Sequence, residues 1–228
     1  MEKQPNLPRH VGLITDGNRR WAREKGLPSF EGHRQGCEAG KNILQAAYNI
    51  GIKEFTAWAF STENWNRSEK EINYLMNLFE KWLNDSLKRY KDKNVKIRVV
   101  GQKWKVPKSF QKVITKAEQE TANNSGMIFN MALSYGGRDE IVQGIKKIIE
   151  KNIKPQDINE QTVSENLWLP DIDLIIRTGG EQRLSGFLAW QATYAELFFV
   201  KKYLPDFTPE DFNQILIKYG RRQRRFGK

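Results

Sequence analysis

Five consecutive residues, Asp16-Gly17-Asn18-Arg19-Arg20, follow the short apolar run from His10 to Ile14. An apolar run ending in Asp-Gly-Asn reads as a buried strand that breaks into a tight turn. Arg19 to Lys25 can then open a helix. Glycine lets backbone N–H groups come close to a ligand, and a helix N-terminus favours an anion. The two guanidinium groups can grip phosphate oxygens in bidentate fashion. Asp16 would repel a phosphate unless a divalent cation lay between them, so the set points to Mg²⁺ with a diphosphate. The alternative is an Asx-type turn capping a helix, with two solvated arginines.

Further constellations follow other strand-like runs. The loop Phe60-Ser61-Thr62-Glu63-Asn64-Trp65-Asn66-Arg67 mixes hydroxyls, a carboxylate, amides, an indole and a guanidinium. It could bind a phosphate and cover an apolar group; a helix-capping loop around a packed Trp65 accounts for it equally well. Tyr135-Gly136-Gly137-Arg138 reads as a tight turn. Arg177-Thr178-Gly179-Gly180-Glu181-Gln182-Arg183-Leu184-Ser185 sets two arginines and a serine around paired glycines, a second anion cradle. Glu196 lies inside the apolar run Tyr194 to Phe199, where an unpaired carboxylate is costly to bury. A salt bridge is the commoner explanation there, and metal contact the sharper one. His33 and Cys37 are close in sequence, but no motif supports cysteine catalysis. The GxxxxGK[ST] pattern of nucleotide hydrolysis is missing.

The elements that must position these groups alternate along the chain. Strands are expected at His10–Ile14, Glu54–Phe60, Val95–Val100, Ile128–Leu133, Ile172–Ile176 and Tyr194–Phe199. Helices are expected from His33 to Asn49, Ser68 to Asp92, Pro107 to Thr121, Arg138 to Lys151, Pro155 to Leu167 and Asp211 to Tyr219. Ser68 with Glu71 forms a capping-box signature. Leu75, Met76, Phe79, Trp82, Leu83 and Leu87 recur at helical spacing behind it. Strands separated by helices point to an α/β fold with a parallel sheet covered on both faces. No linker or low-complexity segment interrupts the 228 residues, so a single domain, 1–228, is expected.

Composition bounds the class. Hydrophobic residues are 39% and charged residues 29%, as in a soluble globular chain. One cysteine leaves no intramolecular disulfide framework, and with two histidines it argues against structural zinc. No stretch approaches the ~20 apolar residues that span a bilayer, and Met1 to Arg9 holds no apolar signal segment. A cytoplasmic protein is expected, touching a membrane only from its surface. The formal net charge of +11 suggests an anionic partner. RNA is one reading, but no RNP-type or KH-type signature is present, and the arginines cluster at glycine turns. No nucleic acid is therefore expected.

Taken in order, these motifs resemble the cis-prenyltransferases, the undecaprenyl diphosphate synthase family. The resemblance rests on Asp16 to Ala22, Gly32-His33, Phe60 to Arg67, Tyr135 to Arg138, Asp173 to Glu181 and the ending Arg225-Phe226-Gly227. It implies a central six-stranded, mostly parallel sheet surrounded by helices, with an apolar tunnel, assembled as a homodimer. It also implies condensation of isopentenyl diphosphate with an allylic diphosphate, farnesyl or geranyl diphosphate, with Mg²⁺ as cofactor. In that scheme Asp16 and Glu196 are the metal carboxylates. Gly17, Asn18, Arg19, Arg20, Trp21 and His33 bind the allylic diphosphate. Arg177, Arg183, Leu184 and Ser185 take isopentenyl diphosphate, and the final Arg-Phe-Gly reaches across the dimer. Ser61, Thr62, Glu63, Trp65 and Arg67 shape the loop over the substrates. Asn64 is implied as a catalytic residue, although a neutral amide is suited to orientation rather than proton removal.

Two positions depart from the family pattern. Arg19 replaces a frequent glycine, and Ser29 stands where the family often has an arginine on the allylic diphosphate. Arg19, Arg23 or Arg34 are the available compensators. Small Ala59 is expected to leave the tunnel open to a medium or long product, with Met127 as an alternative floor. A non-catalytic partner subunit of a heteromeric enzyme is the rival within the family; it should lack the first-loop carboxylate, and Asp16 is present.

Overall fold

A computed structural model describes residues 7–222. Six strands form one sheet: β1 (His10–Ile14), β2 (Glu54–Ser61), β3 (Lys96–Val100), β4 (Ile128–Tyr135), β5 (Leu174–Arg177) and β6 (Glu196–Phe199). Their order is β3-β4-β2-β1-β5-β6. Every pairing among them is parallel, so the expected mostly parallel sheet is wholly parallel in the described residues. Parallel strands need crossovers, and seven helices supply cover: α1 (Asn18–Glu24), α2 (Ser29–Ile50), α3 (Glu69–Tyr90), α4 (Lys108–Glu120), α5 (Gly137–Glu150), α6 (Glu160–Asn166) and α7 (Pro209–Gly220).

The two faces of the sheet carry separate cores. Val11 and Leu13 of β1 face a core shared with α2, α3, α4 and α7. Ile14 turns to the other face, where Trp58, Tyr135, Ile172 and Phe187 pack. Gly12 shares that second face: a Cβ there would lie 2.7 Å from Ile172 and 2.8 Å from Phe187. These near-continuous apolar strands are what burial on both faces demands.

Element boundaries differ from the sequence expectation in three instructive places. Helix α2 begins a full turn before His33, at Ser29. Its Gly32 and Gly36 have low helix propensity but meet α1 closely, and a Cβ on Gly32 would lie 2.0 Å from the Asn18 carbonyl oxygen. Tyr194 and Ala195 belong to the turn before β6, and the strand starts only at Glu196. The expected capping box at α3 is half formed. The Glu71 N–H reaches Ser68 Oγ, but the Glu71 side chain turns to other partners.

Candidate active site

The neighbours of β1 are β2 on one side and β5 on the other. The chain thus leaves β1 in one direction and returns to it from the opposite one. Such a seam opens a crevice beyond the carboxyl ends of the strands. Asp16 follows β1, and Arg177 is the last residue of β5, level with Ile14.

Backbone geometry fixes Asp16. Its N–H donates to Thr178 Oγ1 at 3.0 Å, and that hydroxyl donates to the Asp16 carbonyl at 2.8 Å. Gly17 follows with φ +99°, and a Cβ there would lie 2.5 Å from the Tyr203 ring, so only glycine fits. The carboxylate draws one cation from β5 and one from α1. Arg177 donates an η-nitrogen to Oδ2 at 2.9 Å, and Arg20 approaches Oδ1 at 3.2 Å. Burial alone would raise the Asp16 carboxyl, but the hydrogen bond and charge of Arg177, with Arg20, hold it below its usual range. It is therefore a carboxylate at neutral pH.

Arg177 is nearly buried, and its other η-nitrogen donates to Ser185 Oγ at 2.9 Å and to the Arg183 carbonyl at 2.5 Å. Its Nε has no hydrogen-bond partner among the described residues. Arg20 also contacts Glu181 at 3.2 Å and lies over the Tyr203 ring. The Arg183 side chain points outward to Glu181 at 2.6 Å and is 60% exposed.

A second polar relay stands opposite. Glu71 of α3 receives His33 Nε2 at 3.0 Å and Arg67 at 3.2 Å on the same oxygen. Burial lowers the His33 pKa against the pull of Glu71, and Arg67 and Arg19 lower it further. A neutral imidazole donating Nε2–H to Glu71 satisfies both observations. The sequence reading missed Glu71 in this role; its spacing of four from Arg67 was the available signal.

These groups line one cavity of about 890 Å³ that changes character along its length. At the rim stand Asp16, Gly17, Asn18, Arg19, Arg20, Arg67 and Arg177, with Ser61, Asn64 and Ser185. Deeper, between α2 and α3, the walls are Cys37, Gly40, Leu75, Phe79 and Trp82. Ala59 also lines it, at a register slip between Trp58 and Phe60 that marks a bulge beside the site. Met127 is buried in the core and is not part of the cavity wall, so it is not the floor. Burial pushes the Cys37 thiol up to about 12, which leaves it an unreactive wall residue.

Several residues assigned from sequence support the rim from behind. Asn64 accepts the Ser61 N–H at 3.1 Å and so shapes the turn Thr62–Asn66. Trp65 donates Nε1–H to Ser134 Oγ at 2.8 Å and packs edge-on against Phe60. Thr62 donates to Glu63 and lies over Gly136, whose added Cβ would meet Thr62 Oγ1 at 2.6 Å. Trp21 points away, donating Nε1–H to Asp206 at 2.8 Å. Leu184 packs against the second core.

Glu196 is not at this rim. It opens β6 level with Leu174 and Val11, about 10 Å down the strands from the crevice at ~3.3 Å per residue. Arg222 pairs with its carboxylate and also covers Phe198. Within one chain the structure does not bring Glu196 to Asp16, so the expectation of two carboxylates on one rim is corrected. The implied Arg225-Phe226-Gly227 lies outside the described residues.

The family model described as "Putative undecaprenyl diphosphate synthase" matches residues 14–227. The chain belongs to this prenyltransferase family. An isoprenyl transferase of Staphylococcus saprophyticus is 44% identical, covering 97% of this chain and 90% of that protein. One from Aquifex aeolicus is 40% identical, covering 97% and 96%. The fold is similar to lavandulyl diphosphate synthase of Lavandula x intermedia, solved in complex with dimethylallyl diphosphate. That match has a TM-score of 0.92 at 37% identity over 97% of this chain and 99% of the other. A probable undecaprenyl diphosphate synthase of Campylobacter jejuni gives 0.84 at 32% identity, over 98% and 100%.

As a prenyltransferase, the chain carries its departures visibly. Ser29, the position where the resemblance implies an arginine, lines the cavity, and Arg19 and Arg23 line it too. Arg34 does not line the cavity; it pairs with Glu31 through Nε at 2.9 Å and an η-nitrogen at 2.5 Å. No helix among the described residues is long and apolar enough to cross a membrane.

Proposed function

We propose that this prenyltransferase condenses isopentenyl diphosphate with an allylic diphosphate, farnesyl or geranyl, to make a cis-polyprenyl diphosphate. The carrying observation is the two-character cavity, with cations around Asp16 at the rim and an apolar trough between α2 and α3 behind it. Such a cavity fits a ligand with an anionic head and a hydrocarbon body, and its ~890 Å³ falls in the range of small-molecule sites. Gly17 to Arg20 hold the allylic head, with its tail pointing down the trough. Arg177 and Ser185 hold isopentenyl diphosphate, and Arg67 lies between the two.

The donor set suits Mg²⁺. Asp16 is ionised, partly exposed at the rim and held by arginines that a diphosphate could draw away. No cluster of three metal-ligating side chains occurs among the described residues. One carboxylate plus substrate phosphates is a common Mg²⁺ arrangement. When bound, the ion offsets charge on the departing diphosphate. Arg20 and Arg19 stabilise the same charge from the protein side. The isopentenyl double bond attacks the allylic carbon, the carbon–oxygen bond to diphosphate breaks, and a proton leaves to set the new double bond. Asn64, engaged with the Ser61 backbone, orients the loop rather than taking that proton.

A homodimer is part of the proposal. Val142, Ile145 and Ile149 form an exposed apolar stripe at spacings of three and four on α5. A second copy would cover it. The test of function is direct. Incubate the protein with labelled isopentenyl diphosphate, Mg²⁺ and each allylic primer, then size the products, with a chelator control. No incorporation with any primer would reject the reading.

A further inference from the structure

A second cavity of about 530 Å³ lies farther along the same pair of helices. The first cavity runs along α2 past His33, Gly36, Cys37 and Gly40, and along α3 past Leu75, Phe79 and Trp82. The second continues on the same lines, with Lys41 and Leu44 on α2 and Trp82, Ser86 and Tyr90 on α3. Spacings of three and four run through both sets, so one face of each helix borders a single crevice. Trp82 is the residue common to both cavities.

Its indole stands where α2 offers no side chain. A Cβ on Gly40 would lie 3.9 Å from Trp82 Cη2 and 4.0 Å from Cζ2. The ring tilts against Phe129 with centroids 5.7 Å apart. The side chain is buried, yet its Nε1 has no hydrogen-bond partner among the described residues. A buried indole N–H normally finds an acceptor, so no hydrogen bond pins this ring in its present pose. Along α3, Trp82 is about 16 Å beyond Glu71 at ~1.5 Å per residue. Charges of both signs line the outer chamber: Lys88, Arg89 and Lys93, with Lys41 paired to Glu38 at 2.9 Å and to Asp85 at 3.2 Å.

We propose that Trp82 is the partition that sets where the growing prenyl chain stops. The inner chamber accepts the tail until it meets the indole, and the outer chamber is space the wild-type product does not reach. The inference rests on the prenyl-transfer reading above and adds the residue that counts the product.

Two measurements separate the inference from that reading. In the first, wild type, W82L and W82A are incubated with farnesyl diphosphate, isopentenyl diphosphate and Mg²⁺, and products are sized. W82A should shift the main product longer by at least one isopentenyl addition, with W82L between. S86F fills the outer chamber. Alone it should leave product length unchanged, and on the W82A background it should return products to wild-type length. In the second, binding of preformed prenyl diphosphates of increasing length is followed by calorimetry, without isopentenyl diphosphate. Affinity of wild type should stop rising at a shorter chain than that of W82A. Binding curves that change while no variant turns over would reject prenyl transfer and keep the partition. Turnover with identical product lengths in wild type, W82L and W82A overturns the partition, as does S86F shortening the wild-type product. Should W82A fail to fold by circular dichroism, W82L and S86F decide both measurements.

Discussion

Asp16 and Arg177 form an ion pair at 2.9 Å across the seam between β1 and β5. The carboxylate suited to a cation is thus held by the arginine suited to the second substrate. Within this pair each group offsets the charge of the other. On the proposed reading, a cation and two diphosphates would redistribute those partners and so would couple occupancy of one subsite to the geometry of the other.

Asp16→Ala should therefore reduce kcat by at least ~10²-fold, the scale of losing one preorganised electrostatic group. The fold should survive, because Arg177 keeps Ser185 and the Arg183 carbonyl. Steady-state rates with a thermal melt check both parts. Near-normal turnover would remove Asp16 from the mechanism.

Arg177→Ala should raise the apparent KM for isopentenyl diphosphate more than for the allylic primer. Arg177→Lys should not restore it, since an ammonium cannot replace a planar fork that reaches Asp16, Ser185 and a carbonyl together. Arg183→Ala should act in the same direction but more weakly, because that side chain is exposed and paired with Glu181. Equal changes in both KM values would contradict the assignment of Arg177.

Stability should fall on acidification through the histidine range. Burial lowers the pKa of both His10 and His33 from the ordinary 6.5. The unfolded chain then binds more protons as pH drops below 6.5, so stability is full above that value and is lost progressively below it. The urea midpoint should be lower at about pH 5.5 than at about pH 7.5. His33→Gln should shrink the difference. An unchanged pH dependence in that variant would assign the effect elsewhere.

Ala59→Leu should shorten the products. Ala59 lines the cavity at the β2 bulge, and extra methylenes in a filled apolar channel cost roughly 1–3 kcal/mol. The first condensation should be affected least. Product lengths equal to wild type would show that the wall at Ala59 is not limiting.

The strands were legible in the sequence because burial on both faces turns a parallel strand into an apolar run, as in His10–Ile14 and Ile128–Leu133. The rim was legible for a related reason. Charged and glycine-rich turns directly after such runs have few places to go except the crevice, and Asp16, Arg20 and Arg177 meet there. What escaped the sequence depended on distance in the chain. Glu71 reads locally as a helix cap, and only the packing of α2 against α3 shows it holding His33. Trp82 reads as ordinary core in a helical stripe, and only the glycine facing it on another helix shows what it divides. Glu196 looked like a rim residue because its strand did, but the parallel register with Leu174 places it low on the sheet.

The seam also dictates an order of assembly. Asp16 and Arg177 are 161 positions apart, and β1 lies bare on one side until β5 is made. Closing so long a loop is entropically expensive, and non-local parallel pairing is slow. β1, made long before β5, is thus among the last strands to be completed. A chain truncated before Leu174 keeps the Asp16 turn but exposes an apolar strand edge, a template for aggregation. Premature termination should therefore give insoluble material for proteases to clear rather than a weak enzyme.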